Sequence, residues 1–194
     1  MRTPSSEIIG MSEFWSFDKY VDMLPNKGKL LEIGTFVGKS AVAWAEAFER
    51  AGKDWDITTI DSFKGNEKTI APIGVDPNLF KMWMKDRVFS GEEQQKVAEQ
   101  NLNGWDNITG HKVNFDENTV RTWNPTVLFY DGDHSYKLCS MALEMYNDVD
   151  YILVDDYLFN GEIKHPGTHR AVNEHKQKYD KILTEGKIAL LTKR

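Results

Sequence analysis

The sequence predicts an α/β fold in which a mainly parallel sheet is covered by helices on both faces. Short apolar runs at Lys29–Ile33, Ile57–Ile60, Val127–Tyr130 and Tyr151–Val154 have the length and continuity of strands buried on two sides. Segments with helical spacing of apolar residues lie between them, and strand–helix–strand order implies parallel strands joined by right-handed crossovers. Two final runs, Lys181–Leu183 and Ile188–Leu191, are separated by a turn containing Glu185 and Gly186. That spacing fits a hairpin, so at least one strand should run antiparallel.

Taken in order, Phe14, Phe17, Tyr20, Val21 and Leu24 recur at steps of three and four, which predicts an amphipathic helix from Ser12 to Leu24, stopped by Pro25. Lys29–Ile33, a helix over Ser40–Ala51 with Ala41, Ala45 and Phe48 on one side, and Ile57–Ile60 form a first β-α-β unit. Residues 62–105 are the least regular, with Gly65, Pro72, Gly74, Pro77 and Gly91 among Phe63, Phe80, Trp83 and Phe89. They read as an insertion carrying one or two helices, the later near Glu92–Leu102, either a lid or substrate wall or a flap with its own small core. Val127–Tyr130, a helix carrying Leu138, Met141, Ala142 and Met145, and Tyr151–Val154 make a second β-α-β unit, and Thr168–Tyr179 is a further helix.

A length of 194 residues suits one domain, 1–194, and 40% hydrophobic with 28% charged residues is the composition of an ordinary globule. The formal charge of −6 argues against a surface evolved to neutralise nucleic acid. No apolar stretch approaches the roughly 20 residues of a membrane helix, and the first residues lack the pattern of a signal peptide, so a cytoplasmic location is expected. The single cysteine, Cys139, falls on a predicted helix as a small buried residue. The expected partner is a small-molecule substrate, with no nucleic acid and no membrane, and a homo-oligomer is compatible with the chain.

Ligands of such sheets bind beyond the carboxyl ends of the strands, where strand order reverses. The residues expected there are 32–38, Asp61, Asn114, 131–134, Asp155 and Asp156, nine of the fifteen being acids or glycines. Leu30 to Ser40 is strand, glycine loop and helix start, a device that brings a ligand close to backbone N–H groups. The dinucleotide pattern G-x-G-x-x-G fails because Phe36 stands at its second glycine. A phosphate-binding P-loop is one residue short in Gly34 to Gly38 followed by Lys39 and Ser40, with the acid-ended strand Tyr151–Asp156 as a mimic of its Mg²⁺-holding strand. An ATP- or GTP-binding protein of that kind, or a catalytically silent nucleotide-binding module, is the alternative from another class.

Glu32-x-Gly34-x-x-x-Gly38, with Asp61 ending the next strand, resembles motif I and the ribose-binding acid of class I S-adenosylmethionine-dependent methyltransferases. Asp131-Gly132-Asp133-His134-Ser135-Tyr136 with Asp155-Asp156-Tyr157 is similar to the metal-dependent O-methyltransferases, the macrocin and other sugar enzymes and the cephalosporin hydroxylase-like proteins, and to a broader group of small methyltransferases with this wording. Pro166-Gly167 and Ala171-Val172 fit the P-G-x-x-x-A-V stretch of that group. The resemblance implies a Rossmann-like, seven-stranded, mostly parallel sheet with a C-terminal antiparallel hairpin. It implies contacts to S-adenosylmethionine from Glu32, Gly34, Thr35, Phe36, Gly38, Ser40, Asp61, Ser62, Asn114, Phe115 and Asp131, with Asn114 near the adenine. Asp131, Asp155 and Asp156 correspond to ligands of a divalent metal, Mg²⁺ being the simplest, and crowded carboxylates do call for a cation or a proton. Asp133 falls at the position of the base, with His134 behind it. The expected activity is Mg²⁺-dependent O-methylation of a small hydroxylated substrate such as a sugar or another secondary metabolite. A metal-independent methyltransferase of the same fold is the nearest alternative.

Overall fold

The computed structural model describes residues 2–8, 17–66, 76, 78, 88–158 and 161–193. Seven strands, β1 (Lys27–Ile33), β2 (Asp54–Asp61), β3 (Ile108–Lys112), β4 (Val127–Tyr130), β5 (Tyr151–Val154), β6 (Lys181–Glu185) and β7 (Ile188–Thr192), form one sheet in the order β3-β2-β1-β4-β5-β7-β6. The first five are parallel, and β7 runs antiparallel to both β5 and β6. The helices are α1 (Asp18–Met23), α2 (Lys39–Arg50), α3 (Gly91–Leu102), α4 (Tyr136–Met145) and α5 (Pro166–His175). The expected mixed sheet with a terminal hairpin is therefore found.

Side chains alternate between two apolar layers. Leu30, Val127 and Phe129 face the layer beneath α1 and α2, whereas Leu31, Leu128 and Tyr130 face that beneath α4 and α5. The first layer is aromatic: Phe17 stacks on Trp44 with centroids 3.9 Å apart, and Phe48 stacks on Trp55 at 4.6 Å. In the second, Cys139, Ala142, Leu143 and Tyr146 of α4 and its C-cap meet Ala171 and Val172 of α5, and Cys139 is the buried helical residue expected. The inward stripe of α4 is rotated from the predicted one. Leu138, Met141 and Met145 are only half-buried, and Leu138 turns to a cleft at the strand ends.

Three other expectations change. The N-terminal helix is described only over Asp18–Met23; its predicted start at Ser12 and Phe14 lies outside the described residues, as do Phe80 and Trp83 of the insertion. Strand β3 has no apolar run to announce it, because it is an edge strand in which Ile108 alone is buried. The helix predicted to Tyr179 ends at His175 and tightens into a 3₁₀ turn over Lys176–Lys178. Among the described residues, no helix is long and apolar enough to cross a membrane.

Because Trp44 is fully buried between Phe17 and Phe48, with its ring also edge-on to Phe129, truncation leaves a large cavity in the first layer. Trp44→Ala should cost about 3–5 kcal/mol of unfolding free energy in a urea titration; a loss under about 1 kcal/mol would show that the layer does not depend on this stack.

Candidate active site

Strand order reverses between β1 and β4: β1 connects onward to β2 on one side, while β4 lies on the other. A cleft of about 340 Å³ opens there, bounded by Gly34 and Phe36 after β1, Asp61 and Ser62 after β2, Val113, Asn114 and Phe115 after β3, and Asp131 to Asp133 after β4. The sequence patterns at four strand ends thus meet in one place.

The loop after β1 turns on Gly34 at φ +107° and Gly38 at φ +87°. A Cβ on Gly34 would lie 2.1 Å from the Asp131 carbonyl oxygen, so only glycine lets the ends of β1 and β4 come together. Between the glycines, Phe36 has the left-handed φ of +47°, as does Phe63 after β2. Such residues carry roughly 1–3 kcal/mol of strain unless something holds them. Both donate their amides to Asp61: Phe36 N–H to Oδ2 at 2.9 Å and Phe63 N–H to Oδ1 at 2.7 Å. Burial raises the Asp61 pKa and these two amides oppose it.

Helix α3, capped by a Ser90–Glu93 box, holds the loop from outside. The Gln94 side chain donates to the Phe36 carbonyl at 3.2 Å and accepts from the Gly65 amide at 2.9 Å, and Asn101 donates to the Val37 carbonyl at 2.9 Å. Gly38, whose left-handed backbone disfavours any side chain, packs against Leu102 of the same helix. The insertion therefore includes a brace on the glycine loop, and its Gln94, like Lys64, lines the cleft without having been singled out in the sequence. Lys64 Nζ donates to Asn114 Oδ1 at 2.6 Å, and Asn114 Nδ2 donates to Asp116.

Not every predicted contact residue reaches the cleft. Gly34, Phe36, Asp61, Ser62, Asn114, Phe115, Asp131 and Asp133 line it. Glu32, Thr35 and Ser40 lie beneath the loop, all buried. The Glu32 carboxylate accepts from the hydroxyls of Thr59 and Ser40, and Thr35 bonds to Thr59 at 2.6 Å, so these residues tie β1, β2 and α2 together. Burial pushes the Glu32 carboxyl up to about 7 against those hydroxyls. The Ser40 hydroxyl, which a P-loop would turn toward a metal, is turned inward instead.

At the ends of β4 and β5 the acids gather. Carboxylate oxygens of Asp131, Asp155 and Asp156 lie within 4.8 Å of one another. Burial and the neighbouring Asp155 raise Asp131 well above the usual carboxylate range, and burial pushes Asp155 up to about 6. The sequence reading missed the cation that answers them. Lys187, in the β6–β7 turn, places Nζ 2.6 Å from Asp155 Oδ2 and 3.3 Å from Asp156 Oδ1. Burial alone would lower its pKa; Asp155, Asp131 and Asp156 outweigh that and raise it, so it stays an ammonium. The signal was the predicted hairpin itself: an antiparallel strand begins at the edge where parallel strands end. The Lys187 carbonyl also accepts from the Tyr157 amide at 2.8 Å, seating the turn on the loop after β5.

Asp133 is exposed, its Oδ1 accepting from the Ser135 amide at 2.7 Å, and Ser135 caps α4. His134 Nε2 lies 3.4 Å from Asp156 Oδ2. Burial lowers the His134 pKa, with Asp156 opposing, so the ring is held toward its neutral form. His165, the N-cap residue of α5, also faces Asp156 Oδ2, at 3.6 Å.

Residues 31–157 match the model of a family described as a methyltransferase domain. No curated protein matches the chain in sequence. Among solved structures, the O-methyltransferase NovP shares the fold with a TM-score of 0.59 at 20% identity, covering 91% of this chain and 75% of its own. A methyltransferase of Podospora anserina bound to S-adenosylhomocysteine has a TM-score of 0.51 at 15% identity, covering 91% and 75%. A SAM-dependent O-methyltransferase of Thermotoga maritima has 0.53 at 13% identity, covering 99% and 67%.

Two predictions follow from the charges. Lys187→Met leaves Asp155 buried without its ammonium and should cost about 3–5 kcal/mol at pH 8, read by urea unfolding; a neutral outcome would mean the three acids need no internal cation. Glu32 has a folded pKa near 7 against 4.5 for an ordinary glutamate, so wild-type stability from this group is greatest below pH 4.5 and declines toward pH 7. Glu32→Gln should remove up to about 3 kcal/mol of that decline; equal slopes in the two proteins would refute the buried-acid assignment.

Proposed function

Since the chain belongs to this methyltransferase-domain family, we propose that it transfers the methyl group of S-adenosylmethionine to an oxygen of a small hydroxylated acceptor. The observation that carries the reading is Asp61 clamped by two backbone amides in a cleft at the switch point of the sheet. An ionised carboxylate has about four acceptor positions. The Phe36 and Phe63 amides fix one oxygen each, with Thr35 and Gln94 as further donors, and a fixed carboxylate lining the cleft suits a ribose diol and repels a phosphate. When bound, S-adenosylmethionine supplies a sulfonium methyl group open to in-line attack.

The other residues follow from that placement. Gly34 lets the methionyl portion approach the backbone, and Ile60, Val113 and Phe115 give apolar walls for a flat base. Asn114, tethered by Lys64, is the polar group beside that base. Asp133, exposed at the cleft, is the acceptor for the proton of the substrate hydroxyl, a contribution of roughly 10² to 10⁴ in rate. The remaining acceleration comes from holding acceptor and methyl group in line.

The acids also fit a hard divalent cation. Asp155 Oδ1 is buried with no hydrogen-bond partner, so Lys187 does not satisfy the cluster. Asp131, Asp155 and Asp156 would hold the ion, which would lower the pKa of a neighbouring substrate hydroxyl.

Calorimetric titration tests the cofactor. S-adenosylhomocysteine should bind wild-type protein, ATP should not, and Asp61→Ala should weaken the first by at least about 100-fold, as expected for two lost hydrogen bonds to a charged acceptor. Affinity unchanged in Asp61→Ala, or binding of ATP alone, would overturn the reading.

A further inference from the structure

Beside the acidic cluster, two imidazoles converge on one of its carboxylates, Asp156. His134 Nε2 and His165 Nε2 stand 3.4 and 3.6 Å from the same oxygen, Asp156 Oδ2, and the two rings are 3.9 Å apart between centroids. These separations exceed the 2.7–3.2 Å of a good N–H···O bond, so neither ring is paired tightly with the acid. They do match the spacing of donors around one ion. Ligands about 2.1 Å from a zinc ion, at tetrahedral angles, lie about 3.4 Å from each other.

The convergence is built by the backbone. His134 follows the cleft residue Asp133, whereas His165 comes from the loop before α5 and precedes Pro166, which restricts its backbone to extended conformations. The loop after β4 touches the first turn of α5 at Gly167, where a Cβ would sit 2.4 Å from the His134 carbonyl and 2.5 Å from the Tyr136 amide. Asp156 is itself left-handed, at φ +53°, and its second oxygen, Oδ1, faces Lys187. One oxygen is thus held by the ammonium while the other is presented to the imidazoles.

We propose that His134, Asp156 and His165 bind a first-row transition-metal ion, of the Zn²⁺, Co²⁺ or Fe²⁺ class, beside the cleft. Imidazole nitrogens favour such ions over Mg²⁺, which prefers an all-oxygen shell. Three protein ligands leave at least one coordination position for water or an acceptor oxygen. Asp156 belongs to both this set and the acidic one, and the histidines bias the choice of metal. This inference does not depend on the cofactor reading.

The test titrates Co²⁺ into the chelator-stripped full chain and follows the visible absorption of nitrogen-bound cobalt. One Co²⁺ per chain should bind with that absorption. His165→Ala and His134→Ala should each weaken binding at least about 10-fold, while Asp131→Asn should leave it in place. Circular dichroism checks that each variant is folded, and the two histidines sit on different loops, so one variant suffices if the other fails to fold. No nitrogen-type absorption in the wild type, binding retained in a folded histidine variant, or binding lost in Asp131→Asn would overturn the proposal. Cobalt binding as expected, in a protein that does not take up S-adenosylhomocysteine, would uphold it and refute only the cofactor reading.

Discussion

A sheet sealed on both faces leaves its polar residues one outlet, the ends of its strands. Every strand residue of β4 is buried, and Glu32 near the end of β1 is wholly enclosed. The acids that follow β2, β4 and β5 are therefore delivered to a single edge, where little water remains to solvate them. Burial at that edge raises the carboxyl groups of Asp61, Asp131 and Asp155, and neighbouring acids add to it for Asp131 and Asp155. The fold tolerates it through partners matched to each acid: backbone amides for Asp61, hydroxyls for Glu32, an ammonium for Asp155. The residual charge and the orphaned Asp155 oxygen are what a cation or substrate can use.

The same economy explains the loop after β1. Its left-handed Phe36 is disfavoured in isolation, yet the Asp61 carboxylate captures its amide while Gln94 captures its carbonyl. Strain, brace and carboxylate are thus one unit, and α3 contributes to the cleft although it lines it only at Gln94. A ligand arriving at Asp61 meets a carboxylate whose orientation is already fixed, so little ordering entropy is lost on binding.

Much of this was legible in the chain. Strands β4 and β5 coincide with their apolar runs, because both faces are covered and an acid marks each end. Strand β2 begins three residues before its predicted start, since Asp54 and Asp56 are exposed there and break the apolar run around buried Trp55. Strand β3 could not be read from its own residues: four of its five residues are exposed, so hydrophobicity carries no period. At the cleft, the residues visible in advance were those marked by a local motif, such as Gly34 of the loop and the acids Asp61 and Asp131 at strand ends. Lys187 was hidden for a different reason: it reaches Asp156 through tertiary geometry, by the direction of β7. Glu32, Thr35 and Ser40 share the motif but face inward, because alternation along β1 and the first turn of α2 points them beneath the loop.

The reversed direction of β7 also bears on how the protein is made. Strand β7 fills the slot between β5 and β6, and Lys187 immediately precedes it. A ribosome emits the parallel half of the sheet first, so β5 waits with an open hydrogen-bonding edge, and Asp155 without its counter-ion, until residues past Lys187 clear the exit tunnel. During that interval the nascent chain carries both an unpaired strand and an uncompensated acidic cluster, the kind of surface that chaperones shield and that mispairs when they do not.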